Sequence, residues 1–226
     1  MRLPKLQVLK LEIMSGSKVT LIDYGVGNLL SVQRGLEYCG ATVHLSSDPE
    51  EILASSKVVL PGVGAYGRAM EELYRLDLVK TLRELAFRNT PLLGICLGMQ
   101  LLLDESEEFG NTPGLGLIPG RVVPVPSEGE GGEPLKLPHI GWSALLNSGD
   151  GWANSILRNN HEGEAAYFVH SFMAVPDDSK HRIADCVNGG HRIAATIKRG
   201  NITGCQFHPE KSGYVGLKML RSFCVD

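Results

Sequence analysis

The feature that most constrains this chain is the alternation of short apolar segments with helical ones over residues 18–106. Four segments rich in aliphatic and β-branched residues are typical of buried strands: KVTLID (18–23), ATVHL (41–45), KVVLPG (57–62) and PLLGIC (91–96). Three others have helical spacing: LLSVQRGLEYCG (29–40), GRAMEELYRLDLVKTLRELAFRN (67–89, with a break near Asp77) and LGMQLLLDES (97–106). This alternation predicts an α/β fold, an open and mostly parallel sheet flanked by helices.

The pattern changes after about residue 110. Glycine, proline and short β-like segments then dominate: GLIPGRVVPVP (116–126), HIGWSALL (139–146), AAYFVHSFMAV (165–175) and RIADCVNGGHRIAATIKRGNITGCQFHPE (182–210). They predict an antiparallel β extension in the C-terminal half. The last helix is expected in SGYVGLKMLRSFC (212–224). We therefore expect one domain over residues 18–226, preceded by an N-terminal extension, residues 1–17.

Composition and charge exclude several classes of function. The 226 residues carry a formal net charge of −3, so no basic surface for nucleic acid is indicated. The apolar runs fall far short of the ~20 residues that a membrane helix needs. Five cysteines without a C-x-x-C pair argue against a disulfide framework or a structural zinc site. They favour a reducing, cytoplasmic location.

Glycine-rich turns give no sign of a bound cofactor. The segment GVGNLL (25–30) follows a strand and opens a helix, but Leu30 stands where a dinucleotide fingerprint needs its third glycine. No P-loop sequence occurs, and no H-x-x-x-H or H-E-x-x-H spacing suggests a metal site. We therefore expect neither a cofactor nor a metal.

The segment GICLGMQ (94–100) places Cys96 between two glycines, after a strand and before a helix. This is the layout of a nucleophile elbow with cysteine in place of serine. The start of the following helix favours the thiolate, and the Leu97 amide is placed to donate to an oxyanion. Gln100 follows one helical turn later and can face the same cleft. The alternative is a buried structural cysteine.

A base for such a nucleophile is found in GCQFHPE (204–210). His208 and Glu210 are two residues apart, which places both side chains on one side of an extended chain. The carboxylate of Glu210 can then orient the imidazole of His208, as in a catalytic triad. The alternative is a surface turn with an incidental histidine.

At this point the motifs carry a resemblance. PGVGAY (61–66), GICLGMQ (94–100) and QFHPE (206–210), in this order, resemble the class I, or triad, glutamine amidotransferases. IDYGVGNLLSV (22–32), LPGVGAYGRAM (60–70), PHIGW (138–142) and YFVHSF (167–172) are similar to the family of glutaminase subunits of imidazole glycerol phosphate synthase. The similarity covers roughly residues 18–222, so residues 18–226 are expected to form a glutamine amidotransferase domain.

The resemblance implies a mechanism and a partner. Cys96 would attack the side-chain amide of L-glutamine, with His208 as general base and acid and Glu210 as its orienter. A γ-glutamyl thioester would form, and water would release glutamate. The ammonia would pass to a separate cyclase subunit in a heterodimer, for histidine biosynthesis.

The resemblance also implies further site residues, each with a plainer alternative. An oxyanion strand would comprise Gly62, Val63 and Gly64, with the Val63 amide partnering that of Leu97; alternatively, Pro61 and Gly62 merely end a strand. The substrate would contact Gln100, His170 and Ser171, although His170 is equally well explained as a packed interior histidine. The partner would contact Asn28, His139, Trp142 and Lys211, of which Trp142 could instead be a core aromatic and Lys211 a solvated lysine.

The chain departs from the family pattern at two positions. The sequence also leaves several rival functions open. Ser143 stands where the family usually has asparagine, and Phe172 stands where tyrosine is common. Rivals are a triad amidotransferase of pyridoxal phosphate, anthranilate or guanine nucleotide synthesis, a free-standing cysteine hydrolase, a non-catalytic regulatory subunit, and a redox sensor built on Cys96. PHIGW (138–142) and the DYGVGN segment (23–28) argue against the first of these.

Overall fold

The structure of the protein is a computed structural model that describes residues 17–149 and 151–225. The predicted N-terminal extension, residues 1–17, therefore lies outside the described residues except for its last one. The remaining chain forms a mixed α/β fold in which helices cover both faces of a large sheet.

The first half of the chain forms the predicted alternation of strands and helices. Its strands are β1 (Lys18–Ile22), β2 (Thr42–Ser46), β3 (Val58–Leu60) and β4 (Leu92–Ile95). Its helices are α1 (Leu29–Tyr38), α2 (Pro49–Leu53), α3 (Tyr66–Arg75), α4 (Leu78–Phe87) and α5 (Leu97–Leu101). Asp77, with a φ of 55°, separates α3 from α4, which confirms the predicted break.

The short helix α2 was not predicted, although its start has a recognisable signal. The Asp48 side chain accepts hydrogen bonds from the amides of Glu50 and Glu51, and Pro49 occupies the first turn. This is a side-chain cap followed by a proline whose missing N–H costs nothing at that position.

The helix expected over residues 97–106 is wrong in length. Helix α5 ends at Leu101, and Glu105–Ser106 form a short strand, β5. The carbonyls of Leu101, Leu102 and Leu103 accept hydrogen bonds from amides of the following segment, residues 115–118. Because these tertiary bonds satisfy the end of the helix, the chain turns away after about one and a half turns.

The second half of the chain is predominantly antiparallel, as predicted. After β5 (Glu105–Ser106), its strands are β6 (Thr112–Pro113), β7 (Gly120–Pro124), β8 (His139–Ala144), β9 (Leu146–Asn147), β10 (Ala165–His170), β11 (Phe172–Pro176), β12 (Arg182–Asn188), β13 (His191–Arg199) and β14 (Ile202–Cys205), and the last helix is α6 (Gly213–Val225). Strands β11, β7, β5 and β6 form a second sheet, and β10 pairs with β8.

The main sheet has eight strands in the order β2-β1-β3-β4-β14-β13-β12-β9. Strands β12, β13 and β14 form successive antiparallel pairs, but β14 runs parallel to β4, with Gly204 opposite Gly94 and Cys205 opposite Ile95. A strand from the C-terminal half therefore completes the parallel part of the sheet. The carboxyl ends of β3, β4 and β14 consequently lie side by side at one edge.

Alternating side chains of the central strands fill two separate cores. Val59 points to the core beneath α1 and α6, whereas Val58 and Leu60 point to the core beneath α3 and α4. Such alternation is what a strand covered on both faces requires. With both faces buried, the sheet is a rigid support for the loops that follow its strands.

Candidate active site

Three loops meet at the carboxyl edge of the parallel strands, where ligands usually bind in open α/β sheets. Residues 61–64 follow β3, Cys96 follows β4, and residues 206–210 follow β14. Because these three strands are neighbours in the sheet, motifs more than a hundred residues apart in sequence become adjacent. The topology therefore assembles the candidate site.

The backbone at Cys96 turns sharply, with a φ of 54°. A non-glycine residue in this region costs about 1–3 kcal/mol and marks a position held by its surroundings. A Cβ atom on Gly98 would lie 1.9 Å from the Leu60 carbonyl oxygen, and one on Gly94 would lie 2.6 Å from that of Gly98. The two glycines therefore allow β4, α5 and β3 to approach closely enough to form the elbow that the sequence predicts.

His208 and Glu210 form a buried pair beside this elbow. The distance from His208 Nδ1 to Glu210 Oε1 is 2.8 Å, and the two side chains are 3% and 1% exposed. The expectation of an extended chain is wrong, because Pro209–Lys211 form a 3-10 turn. The Ser212 hydroxyl stabilises this turn by donating to the His208 carbonyl at 2.7 Å.

The charges around His208 favour its protonated form. Burial alone lowers its pKa, but the Cys96 sulfur and the Glu210 carboxylate outweigh burial and raise the pKa of His208 to about 9. His208 Nε2 has no regular hydrogen-bond partner among the described residues and lies in the wall of the same cavity as Cys96. The arrangement holds a proton on the imidazole next to the Cys96 sulfur.

A cavity of about 440 Å³ opens above the elbow. Its lining contains most of the residues singled out from the sequence: Val63, Gly64, Cys96, Leu97, Gln100, His170, Ser171 and His208. Gly62 and Glu210 lie behind this lining. A Cβ atom on Gly62 would contact the Tyr24 hydroxyl and the Gly98 amide at 2.8 and 2.9 Å, so this part of residues 61–64 packs directly on the elbow.

The orientation of Gln100 follows from its neighbours. Its Nε2 lies 3.0 Å from the Phe172 carbonyl oxygen and 3.0 Å from Gln206 Oε1. A backbone carbonyl can only accept, so this end of the amide must be the donating NH2 group. The Gln100 oxygen then remains the acceptor that this side chain can offer to a ligand.

The position of His170 is compatible with both alternatives considered for it. It lines the cavity, and it is also a packed interior histidine whose Nδ1 donates to the Phe172 carbonyl at 2.8 Å. Its Nε2 therefore accepts from His139 Nδ1, which is 3.0 Å away. Burial lowers the pKa of His170 to about 4 and also lowers the pKa of His139. Both rings are neutral near pH 7.

The four residues expected to face a partner divide into two groups. The His139 side chain does not fit that expectation, because it is 7% exposed and is stacked on Phe168 inside the protein. Trp142 is 59% exposed and contacts Tyr167 edge to face. Asn28 and Lys211 are also exposed, and Asn28 additionally caps α1 by accepting from the Ser31 amide at 3.4 Å.

Sequence reasoning missed three residues of the site. Glu108 lines the cavity, and its Oε2 accepts from the Tyr66 amide at 2.6 Å. Tyr24 is buried and donates to the Pro61 carbonyl at 2.7 Å, and burial, with a smaller effect of the Cys96 sulfur, raises its pKa. Gln206 contacts the Cys96 sulfur. Only Gln206 had a usable signal, since it precedes His208 by two residues.

Two kinds of feature are absent from residues 17–149 and 151–225. No group of three or more His, Cys, Asp or Glu side chains is arranged to hold a metal ion. Over the same residues, every helix is too short or too polar to cross a membrane.

Comparison with protein families decides how this geometry is classified. Residues 20–226 match the class-I glutamine amidotransferase family. The chain belongs to this family. Among its curated relatives is the imidazole glycerol phosphate synthase subunit HisH 1 of Legionella pneumophila strain Lens, which is 50% identical over 209 residues, or 92% of this chain and 98% of the relative. The HisH subunit of Bacillus anthracis strain A0248 is 42% identical over 206 residues, or 91% and 93% of the two chains.

Solved structures of lower sequence identity share the fold of this amidotransferase. A structure described as PurLQS from Thermotoga maritima aligns with a TM-score of 0.69 at 20% identity and covers 92% of this chain and 97% of that one. The glutaminase domain of Trypanosoma brucei CTPS, solved with bound acivicin, aligns with a TM-score of 0.61 at 15% identity and covers 92% and 93%. The predicted α/β fold class is thereby confirmed.

Proposed function

We propose that this amidotransferase is the glutaminase subunit of an imidazole glycerol phosphate synthase, which hydrolyses L-glutamine and delivers the ammonia to a separate cyclase subunit. The observation that carries the proposal is the cavity in which Cys96 and His208 meet, with Glu210 bonded behind His208. The relatives from Legionella pneumophila and Bacillus anthracis, at 50% and 42% identity and both named as HisH subunits of that synthase, support the specific assignment.

The chemistry requires a nucleophile and a proton carrier. The Cys96 thiolate attacks the side-chain amide carbon of glutamine, and a C–S bond forms as the amide oxygen gains negative charge. His208 donates its Nε2 proton to the nitrogen, the C–N bond breaks, and ammonia leaves a γ-glutamyl thioester. The neutral imidazole then takes a proton from water, whose oxygen attacks the thioester and releases glutamate and thiolate.

Glu210 serves this sequence by holding His208 in one orientation and tautomer. Its bond to Nδ1 keeps the proton of the other nitrogen directed into the cavity. The raised pKa of His208, about 9, means that the imidazolium is present before substrate binds. In this protein the first task of His208 is therefore that of a general acid.

The developing oxyanion needs backbone donors near the sulfur. Leu97 follows Cys96 and Val63 lines the same cavity, so their amides are the proposed pair. The Val63 amide belongs to the peptide that follows Gly62, and glycines on both sides of Val63, with Gly64 at a φ of 99°, give this segment conformational freedom. Tyr24 fixes the preceding Pro61 carbonyl, which confines any rotation to residues 62–64.

The rest of the cavity suits a small amino acid. Its volume of about 440 Å³ is at the lower end of the usual range for ligand sites. The carboxylate of Glu108 and the free oxygen of Gln100 are both acceptors, which matches the α-ammonium group of glutamine. Ser171, together with the neutral ring of His170, completes the polar lining without adding a competing charge.

The partner is proposed to dock at the exposed residues beside the cavity. Trp142 packs on Tyr167, whose carbonyl accepts from the His208 amide at 2.9 Å, so the indole is attached to the strand that borders the triad. Lys211 follows Glu210 directly, and α1, which Asn28 caps, packs against the same turn. We propose a cytoplasmic heterodimer in which the lyase step belongs to the cyclase subunit.

The test measures glutamate release by this chain alone and mixed with an imidazole glycerol phosphate synthase cyclase subunit and its ribonucleotide ligand. We expect strong stimulation by the mixture. Cys96→Ala should abolish glutamine use while sparing synthesis from added ammonium salt, and Cys186→Ala, at a fully buried cysteine in β12, is the matched control. High activity that ignores the cyclase would indicate a free-standing hydrolase. Loss of ammonia-dependent synthesis would contradict separate sites.

A further inference from the structure

We propose that Gln206 is a positioning residue that fixes the Cys96 sulfur and the substrate-facing amide of Gln100 with one side chain. The inference rests on the proposed function, in which Cys96 is the nucleophile and Gln100 binds glutamine. Gln206 Oε1 accepts from Gln100 Nε2 at 3.0 Å, and Gln206 Nε2 lies 3.8 Å from the Cys96 sulfur.

The direction of each hydrogen bond is set by the Phe172 carbonyl. This oxygen can only accept, and it receives bonds from His170 Nδ1 at 2.8 Å and Gln100 Nε2 at 3.0 Å. The NH2 group of Gln100 must therefore donate to Gln206, and the Gln206 atom that accepts this hydrogen bond must be its oxygen. The NH2 group of Gln206 is consequently directed at the sulfur of Cys96. A donor in that place stabilises a thiolate.

Because Gln206 and Gln100 are buried, losing the hydrogen bonds between them would cost free energy that water cannot restore. Gln206 is 0% exposed and Gln100 is 6% exposed, so water has little access to satisfy either amide. A buried polar group that loses its partner costs about 1–3 kcal/mol. The backbone of Gln206 is also fixed, because its amide donates to the Ala195 carbonyl of β13 at 2.9 Å. Neither side chain can therefore turn independently of the other.

The position of Gln206 next to β14 explains how one segment serves both functions. Gln206 and His208 are two residues apart, in the short segment between the end of β14 at Cys205 and the 3-10 turn Pro209–Lys211. Both side chains reach the region of Cys96, one as an amide donor and one as an imidazolium. Gln206 thus prepares the nucleophile and orients the substrate contact before glutamine arrives.

The experiment replaces Gln206 with methionine, which keeps the length of the side chain and removes both polar groups. Iodoacetamide alkylation of the full chain is followed by mass spectrometry of the Cys96 peptide over a range of pH. We expect alkylation of Cys96 near neutral pH to slow about tenfold, because the donor beside its sulfur is gone. In the complex with the cyclase subunit, the KM for glutamine should rise about tenfold, because Gln100 is free to rotate.

Two further variants separate positioning from general stability. Gln206→Glu keeps an oxygen for Gln100, so its KM should stay within about threefold of wild type. Thr196→Val on β13 is the matched control, since Thr196 is 0% exposed and its hydroxyl has no partner among the described residues. It should change neither the alkylation profile nor KM.

Three outcomes would overturn the proposal. They are an alkylation profile of a folded Gln206→Met chain that matches wild type, an equal KM for Gln206→Met and wild type, and a tenfold higher KM for Gln206→Glu. If Gln206→Met does not fold, alkylation of Gln206→Glu decides the question: this variant lacks the donor beside Cys96, so its alkylation should slow, and an unchanged profile would overturn the proposal. Alkylation does not depend on turnover, so a failure of the proposed glutaminase function would be seen separately, in Cys96→Ala.

Discussion

Replacing Glu210 with glutamine removes one negative charge from the site and changes little else. Glutamine has the same length as glutamate, and its oxygen can still accept from His208 Nδ1, which is 2.8 Å from the carboxylate in the native protein. Glu210 is 1% exposed, so water cannot take over its role. The variant therefore tests the charge rather than the packing.

The size of the effect follows from the pKa of His208. Its rise from 6.5 to about 9 corresponds to roughly 3 kcal/mol of preference for the imidazolium, net of burial. The Cys96 sulfur and Glu210 share the upward effect. Removing the Glu210 charge should therefore lower the pKa of His208 by on the order of one unit or more.

The activity assay is the pH dependence of kcat/KM for glutamine in the complex with the cyclase subunit. The imidazolium is present below about pH 9 and is lost above it, so wild-type activity should fall on the alkaline side near pH 9. In Glu210→Gln this alkaline limb should move to lower pH by about one unit or more, and kcat should fall by roughly 100-fold to 10,000-fold. Glu71→Gln, at a side chain 69% exposed on α3, is the control.

The raised pKa of His208 also makes the free energy of unfolding depend on pH, and the direction of that dependence is known. The pKa of His208 in the folded protein is raised above its ordinary 6.5, so its stabilising contribution is complete below about pH 6.5. The contribution is lost as pH rises through about 9. Between these limits the free energy of unfolding should fall more in wild type than in Glu210→Gln, as urea titrations can measure. An alkaline limb in the same place for both proteins would refute the reasoning.

Three further substitutions test other parts of the site. Gly98→Ala should lower the free energy of unfolding in urea titrations by about 3 kcal/mol or more, because the added Cβ would lie 1.9 Å from a backbone oxygen. Gly67→Ala is the control and should leave the free energy of unfolding nearly unchanged, because no atom lies nearer than 3.8 Å to its Cβ. Glu108→Gln should raise the KM for glutamine about tenfold with little change in kcat, by removing the charge opposite the α-ammonium group. Trp142→Ala should weaken cyclase binding about tenfold in titration calorimetry while leaving the melting temperature nearly unchanged, because the indole is 59% exposed.

The parts of the fold that sequence could predict are those with local causes. Strands β3 and β4 are continuous apolar runs because both faces of the sheet are covered there, and the break at Asp77 coincides with a left-handed backbone. The length of α5 had no local cause. Its apolar pattern continues beyond Leu101, and only the tertiary bonds from residues 115–118 end it there.

The residues of the candidate site likewise divide into those with a local sequence signal and those that only the tertiary fold brings together. Cys96 and His208 were identifiable because each stands in a short motif whose spacing has a chemical reason. Glu108 lies in an ordinary turn after β5, and only the packing of that turn against the start of α3 brings its carboxylate into the cavity. Tyr24 gave no signal either, because its target, the Pro61 carbonyl, belongs to a different strand end.

The parallel pairing of β14 with β4 connects the sequence motifs with the assembled candidate site. A strand in a run of antiparallel hairpins is expected to continue the antiparallel pattern, and no residue in Ile202–Cys205 indicates otherwise. Yet its placement beside β4 is what carries Gln206 and His208 to Cys96, since Cys205 O accepts from the Cys96 amide at 2.8 Å. The motifs supply the side chains of the candidate site, and the order of strands in the sheet makes those side chains neighbours. Weakening the contact between β14 and β4 should therefore lower glutaminase activity before it unfolds the protein, because the proposed triad spans that one strand boundary.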